Sequence, residues 1–363
     1  MLADVSLSGG AVAAPRPVVD GRLTIRIASA LDRKAWDEFV SDQPSATGYH
    51  EWAWRTVFEQ SFGHRSVYLM AVRSGSDQIQ GVLPLTEIKS RLFGQSMTSL
   101  PFVNYGGLVA DSEQAARALL DAAADIARAN GCRHIELRHT RRRFDDLPCR
   151  QHKVAMRLPL AAGMWDRLDR KVRNQIRKAE KSELTVERGG PELASEFYAV
   201  FARNMRDLGT PVYARRFFDE VLQAFPERTR LVVVRLKGRA IASGLTYRTG
   251  PVIEVPWASS IREYNALCPN HLLYWHAIES ALAEHCTVLD FGRSTPNEGT
   301  YNFKAQWGAA PVPLYWEYRL MNQGALPDHS PKNPKFRLAI EAWKRCPLWL
   351  ANAVGPRIVR SIP

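Results

Sequence analysis

The feature of this sequence that most constrains the fold is a series of predicted elements that occurs twice. Strands, a loop, a helix and a final strand are predicted in the first half at 67–72, 79–88, 96–100, 101–107, 111–130 and 134–138. The second half repeats this order, with strands at 231–236, 240–247 and 252–257, a loop, a helix at 271–285 and a final strand at 288–291. The offset of roughly 155 to 165 residues is that of a duplicated domain and is too long for a solenoid repeat.

Hairpin, strand, loop, helix and strand is the core order of the GNAT N-acyltransferase fold. We therefore expect an α+β protein with two tandem GNAT-like domains, each with a mixed central sheet. The predicted parts are a disordered leader, the first domain, the second domain, and a Pro-rich linker with a basic amphipathic tail: 1–21, 22–150, 151–320 and 321–363. A chain of 363 residues is longer than a single hydrophobic core usually supports.

Charge and cysteine usage indicate the partners and the compartment. Forty-nine Lys and Arg against 37 Asp and Glu give a formal charge of +12, which attracts phosphates, nucleic acid or anionic lipid headgroups. Five widely spaced cysteines without a C-x-x-C pair predict reduced thiols in the cytoplasm. No apolar stretch approaches the roughly 20 residues that cross a bilayer. The histidine spacings do not match a zinc site, and we expect neither a metal nor a cofactor.

The segment 288–308, VLDFGRSTPNEGTYNFKAQWG, holds the strongest candidates for chemistry. A predicted buried strand leads directly into Asp290 and Arg293, and Lys304 follows among aromatic residues. Acyl transfer to an amine needs a proton acceptor and a positive charge at the developing oxyanion. We predict Asp290, Arg293 and Lys304 as catalytic residues. The alternatives are a surface lysine, and an Asp290 that pairs with Arg293 or caps a turn.

Three further groups are predicted to bind substrate, each with a simpler alternative. The aromatic residues around Lys304 either contact substrate or pack in the core; they are Tyr301, Phe303 and Trp307. The glycine-bearing loop 101–107 either approaches a ligand or is a plain turn; its candidates are Asn104, Tyr105 and Gly106. A helix over 165–182 either binds phosphates or has a solvated basic face; its candidates are Arg173, Asn174, Arg177 and Lys178.

One absence bears on the acyl donor. GNAT enzymes that use acetyl-CoA bind its pyrophosphate with a glycine-rich loop at a helix N-terminus, where free amides face the anion. The corresponding segment 263–270, EYNALCPN, contains no glycine, and its proline removes one amide. The sequence therefore disfavours acyl-CoA as the donor.

The segments KVRNQIRKAEKS (171–182), PFVNYGG (101–107), PNHLLYW (269–275) and the stretch 290–318 resemble FemAB-related proteins found with exosortase and exopolysaccharide systems. The resemblance covers about residues 22 to 320. It implies an aminoacyltransferase that uses aminoacyl-tRNA and a lipid-linked or nucleotide-linked precursor. The family segment F-K-x-x-[FW]-G matches Phe303, Lys304, Trp307 and Gly308, which implies that Lys304 lies near the acyl group. The chain lacks the coiled-coil arm of some members.

The tail over 336–360 combines Trp and Leu with Lys and Arg. It is predicted to lie in a membrane interface, to pack on the domains, or to form a dimer contact.

The leading hypothesis is a cytoplasmic acyl or aminoacyl transferase, with peripheral contact at the inner membrane surface. Its partners would be a phosphate-bearing or lipid-linked precursor and aminoacyl-tRNA or another activated acyl donor. The alternatives are an acyl-CoA-dependent N-acetyltransferase and a non-catalytic adaptor that binds a polyanion or membrane.

Overall fold

The computed structural model describes residues 23–90, 93–322, 324–327 and 334–362, and the predicted leader lies outside them. The strands are β1 (Leu23–Ile27), β2 (Arg65–Arg73), β3 (Ile79–Ser90), β4 (Gly94–Thr98), β5 (Val109–Ala110), β6 (His134–His139), β7 (Cys149–Arg150), β8 (Val154–Pro159), β9 (Leu184–Gly189), β10 (Thr229–Leu236), β11 (Arg239–Thr249), β12 (Val252–Ser260), β13 (Val288–Ser294), β14 (Ala310–Pro313) and β15 (Tyr315–Leu320). The helices are α1 (Arg33–Asp42), α2 (Ala53–Phe62), α3 (Glu113–Ala129), α4 (Met164–Arg167), α5 (Arg170–Lys181), α6 (Ala194–Leu208), α7 (Arg215–Ala224), α8 (Pro269–Ala283), α9 (Gly299–Ala305), α10 (Pro334–Lys344) and α11 (Leu348–Val359).

Two mixed sheets have the same strand order. The first runs β1-β2-β3-β4-β6-β15-β7, with the short β5 beside β3. The second, read in the same direction, runs β9-β10-β11-β12-β13-β8-β14. Pairing is parallel between β4 and β6 and between β12 and β13, and antiparallel between the other neighbours along each order. The prediction of an α+β fold with duplicated mixed sheets is confirmed.

The repeat is longer than its predicted core. Each half begins with a strand and two helices: β1, α1 and α2 in the first half, and β9, α6 and α7 in the second. Sequence analysis did not predict these elements. The segment LTIRI nevertheless carries the alternation of a half-buried strand, because Leu23 and Ile25 are buried between more exposed neighbours.

The two sheets exchange a strand. Strand β8 follows the first half in the chain but pairs with β13 of the second sheet, and β15 returns to pair with β6 of the first sheet. The predicted boundary at residue 320 assigned β15 to the second domain, but β15 pairs with β6 of the first sheet, in a register where Trp316 faces Arg138 and Tyr318 faces Glu136. The antiparallel neighbours of β6 and β13, which are β15 and β8, therefore both lie on segments that cross between the halves.

Three hydrophobic cores follow from this arrangement. Helix α3 covers the outer face of the first sheet, and α5 and α8 cover the outer face of the second. A third, central core is shared by both halves and includes Trp54, Phe62, Phe217 and Trp257. The rings of Phe62 and Phe217 lie 5.2 Å apart across the junction. Polar residues on the inner faces of the sheets are therefore placed between the halves.

The two helices of the tail pack on the second half. Helices α10 and α11 contact α6, and α11 buries a stripe formed by Ala351, Gly355 and Val359. A Cβ atom at Gly355 would lie 3.0 Å from the backbone nitrogen of Val212, so a glycine permits this close approach. In the part of the chain that the structure describes, no helix has the length and apolar character needed to span a membrane.

Candidate active site between the two halves

The second sheet opens where β12 and β13 stop pairing. Their parallel ladder runs from Val252 and Val288 to Glu254 and Asp290. Beyond that point β12 remains paired with β11, while the end of β13 pairs with β8. The last pair of the ladder is thus two carboxyl residues at the base of an opening.

Side-chain alternation directs both carboxyl groups toward the first half. Ile253 and Leu289 belong to the outer core under α5 and α8, so Glu254 and Asp290 point to the other face of the sheet. Both carboxyl residues are buried. The loop after β4 covers them from the first half and delivers the amide and phenol predicted from the sequence as substrate-binding groups.

Asp290 accepts hydrogen bonds from three donors. Its Oδ2 accepts from Tyr105 Oη at 2.8 Å and from Arg157 Nε at 3.0 Å. Its Oδ1 accepts from the backbone nitrogen of Gly292 at 2.8 Å. All three groups donate, so the two oxygens of Asp290 serve only as acceptors in these contacts.

Glu254 is placed to hold a proton. Its Oε1 accepts from Asn104 Nδ2, and its Oε2 lies 3.4 Å from Tyr105 Oη. Because the Tyr105 proton is directed at Asp290, the Tyr105 oxygen is free to accept from a protonated Glu254. Burial, and then the charge of Asp290, raise the pKa of Glu254. Glu254, Tyr105 and Asp290 therefore form a short chain of polar contacts, with oxygen–oxygen distances of 3.4 and 2.8 Å.

Steric crowding explains why residue 292, in the segment Asp-Phe-Gly-Arg, is a glycine. Gly292 has φ +73°, and a Cβ atom there would lie 2.8 Å from Asn104 Nδ2. The amide of Asn104 is held between two groups, because its Nδ2 donates to Glu254 and its Oδ1 accepts from Arg293 Nε at 3.1 Å. Arg293, predicted as catalytic, thus orients Asn104.

Lys304 lies on α9 beside the end of β13. Its side chain is only 7% exposed, which excludes the surface-lysine alternative. Its Nζ donates to the carbonyl oxygens of Gly292 at 3.1 Å and Arg293 at 2.9 Å, so one of the three ammonium protons remains for a ligand. Burial lowers the pKa of Lys304 to about 8, against the opposing charges of Asp290 and Glu254.

The remaining predicted groups lie elsewhere. The side chains of Phe303 and Trp307 pack against His271, with ring centroids at 5.1 and 5.9 Å, and Tyr301 packs against the same outer core. This placement matches the core-packing alternative. The backbone nitrogen of Gly106 donates to the Arg138 carbonyl at 2.9 Å, within the first sheet.

The basic helix is also separate from the carboxyl pair. Helix α5 buries Val172 and Ile176 in the outer core, which places the helix on the face of the sheet opposite Glu254. Arg173 lies 3.9 Å from Asp166, and the Arg177 guanidinium lies 5.4 Å from the Trp165 ring centroid. The exposed Asn174 and Lys178 share this helix. The structure does not bring these four residues to the site at the junction.

Sequence analysis missed Glu254 and Arg157. A signal for Glu254 was present, because a carboxyl residue interrupts the apolar run 252–255, VIEV, in a predicted strand. Arg157 on β8 has no comparable signal, since β8 reaches this sheet only through the strand exchange. Within the described residues, no group of three or more His, Cys, Asp or Glu side chains is arranged to hold a metal ion.

Comparisons with known proteins agree with this architecture. Residues 166–305 match the acetyltransferase (GNAT) domain model. The structure of FemX is similar with a TM-score of 0.62 at 16% identity, covering 80% of this chain and 96% of that one. A tandem GNAT protein from the clavulanic acid biosynthesis pathway gives a TM-score of 0.55 at 11% identity, covering 84% and 100%.

L-PGS from Bacillus licheniformis is similar with a TM-score of 0.51 at 11% identity, covering 87% and 98%. No curated protein sequence matches the chain. At these identities the solved structures establish the fold, and the family model establishes an acyltransferase domain in the second half. The predicted tandem GNAT-like fold and the prediction of an acyltransferase are confirmed.

Proposed function

We propose that the chain is a FemX-type N-acyltransferase that joins an activated acyl or aminoacyl group to an amine of a cell-envelope or exopolysaccharide precursor. The observation that carries the proposal is the pair Glu254 and Asp290, bridged by Tyr105, where β12 and β13 separate. Acylation of an amine needs a proton acceptor at nitrogen and a positive charge at the carbonyl oxygen. Glu254 and Lys304 provide these two groups beside one opening.

The proposed reaction follows from these roles. The amine nitrogen attacks the acyl carbon, a C–N bond forms, and the carbonyl electron pair moves to oxygen. The remaining N–H of Lys304 stabilises that oxyanion. The proton leaves nitrogen for the ionised form of Glu254, whose population rises as pH approaches the raised pKa of this residue. It passes to the leaving group when the bond between that group and the acyl carbon breaks, so Glu254 ends as it began.

The local backbone supports a donor other than acyl-CoA. The segment before α8 is a 3₁₀ helix over Arg262–Leu267, and Pro269 occupies the start of α8. This helix start therefore lacks one backbone amide and the glycine-rich loop that a pyrophosphate needs. Aminoacyl-tRNA is the donor we favour, acyl-CoA is the alternative, and a non-catalytic adaptor is the third candidate.

The acceptor class rests on the motif resemblance over 290–318, which points to the exosortase-associated branch and to phosphate-bearing or lipid-linked precursors.

The tail supports contact with the inner membrane surface. Leu338 and Trp349 are 80% and 72% exposed, Lys344 and Arg357 are exposed on the same two helices, and Arg345 is exposed between them. Apolar and basic side chains together suit an anionic lipid interface.

The test of transfer offers the purified protein charged tRNA or acyl-CoA, each with extracts of lipid-linked or nucleotide-linked precursors. Mass spectrometry should detect a mass gain of one aminoacyl residue on the precursor with charged tRNA, lost in Lys304→Ala. Turnover with acyl-CoA alone would establish the alternative donor. If no donor gives a product, the adaptor hypothesis replaces the enzyme hypothesis.

The test of membrane contact is sedimentation with phosphatidylglycerol or phosphatidylcholine vesicles. A Leu338→Ser, Trp349→Ser variant should bind phosphatidylglycerol vesicles more weakly than the unmodified protein. Leu31→Ser is the matched control, because Leu31 is 95% exposed but lies in the first half. Equal sedimentation of all three proteins would disprove a role for the tail.

A further inference from the structure

Two arginines, one from each half, approach the same indole ring. The guanidinium carbon of Arg138, on β6, lies 4.3 Å from the ring centroid of Trp316. That of Arg293, on β13, lies 5.6 Å from the same centroid. Trp316 belongs to β15, the strand that crosses from the second half into the first sheet. The strand exchange therefore brings two cations of the two sheets together at one aromatic side chain.

This cluster has more positive charge than its neighbours neutralise. Arg138 is only 2% exposed, and its Nε donates to Glu136 Oε1 at 2.7 Å. Arg293 donates through Nε to the uncharged amide of Asn104. Burial, and then the charge of Arg138, lower the pKa of Arg293 to about 10. Since Asp290 is already bonded to Arg157 and Tyr105, Glu136 is the one carboxylate bonded to these arginines among the described residues.

The cluster also has an excess of hydrogen-bond donors. Among the described residues, no acceptor bonds the terminal nitrogens of Arg138 or Arg293. The indole nitrogen of Trp316 is buried and has no hydrogen-bond partner in the same part of the chain. Guanidinium and indole N–H groups only donate, so the missing component is a group rich in acceptor oxygens. Buried polar groups normally have partners, so the unpaired indole N–H is the informative deficit, and the half-buried Arg293 beside it can reach a ligand from solvent.

We propose that Arg138, Arg293 and Trp316 bind a phosphate-bearing group, with diphosphate as the best match. A carboxylate presents two oxygens, whereas a diphosphate presents enough oxygens to engage two planar guanidinium groups and the indole N–H together. Asn104 joins Arg293 to Glu254, so the ligand lies one side chain away from the carboxyl pair. That the ligand is part of a substrate rests on the proposed function; the binding itself does not.

The proposal is tested by isothermal titration of the full chain with inorganic diphosphate at low salt. The site variants are Arg293→Gln and Arg138→Lys, the latter keeping the charge that faces Glu136. Each removes charge-assisted hydrogen bonds and should weaken binding about tenfold or more. The matched controls are Arg73→Gln and Arg239→Gln, at exposed positions of the two equivalent hairpins. They should bind within about twofold of the unmodified protein.

Several results would overturn the proposal. They are no saturable binding by the unmodified protein, undiminished binding by both site variants, or equal losses in the hairpin controls. Thermal unfolding of each variant checks that the lysine and glutamine variants fold. Uridine diphosphate and geranyl diphosphate then distinguish a nucleotide-linked from a lipid-linked source, according to which binds more tightly than inorganic diphosphate. Because no acyl donor is present, failure here is separate from failure of the transfer reaction.

Discussion

The openings of the two sheets lie at equivalent positions, but they differ in the residues at their base and in what fills them. In the first sheet the parallel ladder ends at Thr98 and Glu136, and in the second it ends at Glu254 and Asp290. The chain after Thr98 turns back into the first opening, where the Ser99 and Gly106 backbone nitrogens donate to carbonyls of β6, those of Glu136 and Arg138. The first half therefore closes its own opening.

His139 completes this closure. Its Nε2 accepts from the Leu108 backbone nitrogen at 2.9 Å, which leaves Nδ1 as the donor to Glu317 at 2.5 Å. A Cβ atom at Gly107 would lie 2.2 Å from the imidazole, so the loop fits only with glycine there. The two halves of the duplicated fold have therefore diverged: the loop that fills the first opening delivers Asn104 and Tyr105 to the second.

The largest expected effect distinguishes the two ladder ends. Glu254→Gln should lower kcat for transfer by about 10²–10⁴, because it removes the proton acceptor. Thr98→Val is the matched change in the first half, where the hydroxyl is buried and lacks a hydrogen-bond partner among the described residues. Single-turnover measurements should show little change for Thr98→Val. Equal losses in both variants would mean that the two openings do not differ in function.

The next effect concerns the cation beside the second opening. Lys304→Ala should lower kcat by about 10²–10³, the loss seen when one oxyanion donor is removed. The same change leaves the carbonyls of Gly292 and Arg293 without their donor, so the free energy of unfolding should also fall by about 1–3 kcal/mol. Lys304→Arg separates the roles if it restores stability without restoring the rate. Unchanged transfer by Lys304→Ala would remove this residue from the mechanism.

A smaller effect is expected from the closed opening. His139→Ala leaves the Leu108 N–H without its acceptor and removes a donor to Glu317, which should cost about 1–3 kcal/mol of stability. Denaturant unfolding measures this cost, and kcat at a temperature where the variant is folded should remain close to normal. A large loss of kcat in fully folded His139→Ala would show that the first opening also takes part in the reaction.

The last expected effect is a dependence of stability on pH. The raised pKa of Glu254 means that the folded chain holds a proton that the unfolded chain releases above its ordinary value of 4.5. The stability contributed by this uptake is complete below that value and is lost as pH rises toward the raised pKa. Glu254→Gln does not titrate, so its Tm relative to the unmodified protein should increase from about pH 5 to pH 8.

Each 1 kcal/mol of that difference corresponds to about 1–2 °C in a chain of 363 residues. Differential scanning calorimetry at several pH values measures it, with Thr98→Val as the control expected to follow the unmodified protein. A Tm difference that stays constant over this range would show that Glu254 does not carry the proton in the folded state.

Much of the fold was predictable because its signals are local. Alternating or continuous apolar runs identified the strands of both hairpins. The Ala-rich segment forms α3, and the side chain of Ser112 caps this helix by accepting from the Ala115 backbone nitrogen. Asp290 was a candidate because it follows a predicted buried strand, and Asn104 and Tyr105 because they lie in a glycine-bearing loop. The structure brings these three residues together. The aromatics near Lys304 were ambiguous, since packing and ligand binding select the same residue types.

The sequence by itself determined the duplicated order of elements, because periodicity over a few residues decides which segments become strands and helices. Tertiary structure alone decided the strand exchange and the partners of the carboxyl pair. The contacts of Asn104 with Glu254 and of Tyr105 with Asp290 join residues 150 and 185 positions apart. Local pattern carries no information about such contacts, which form only when the two sheets pack face to face around the shared core.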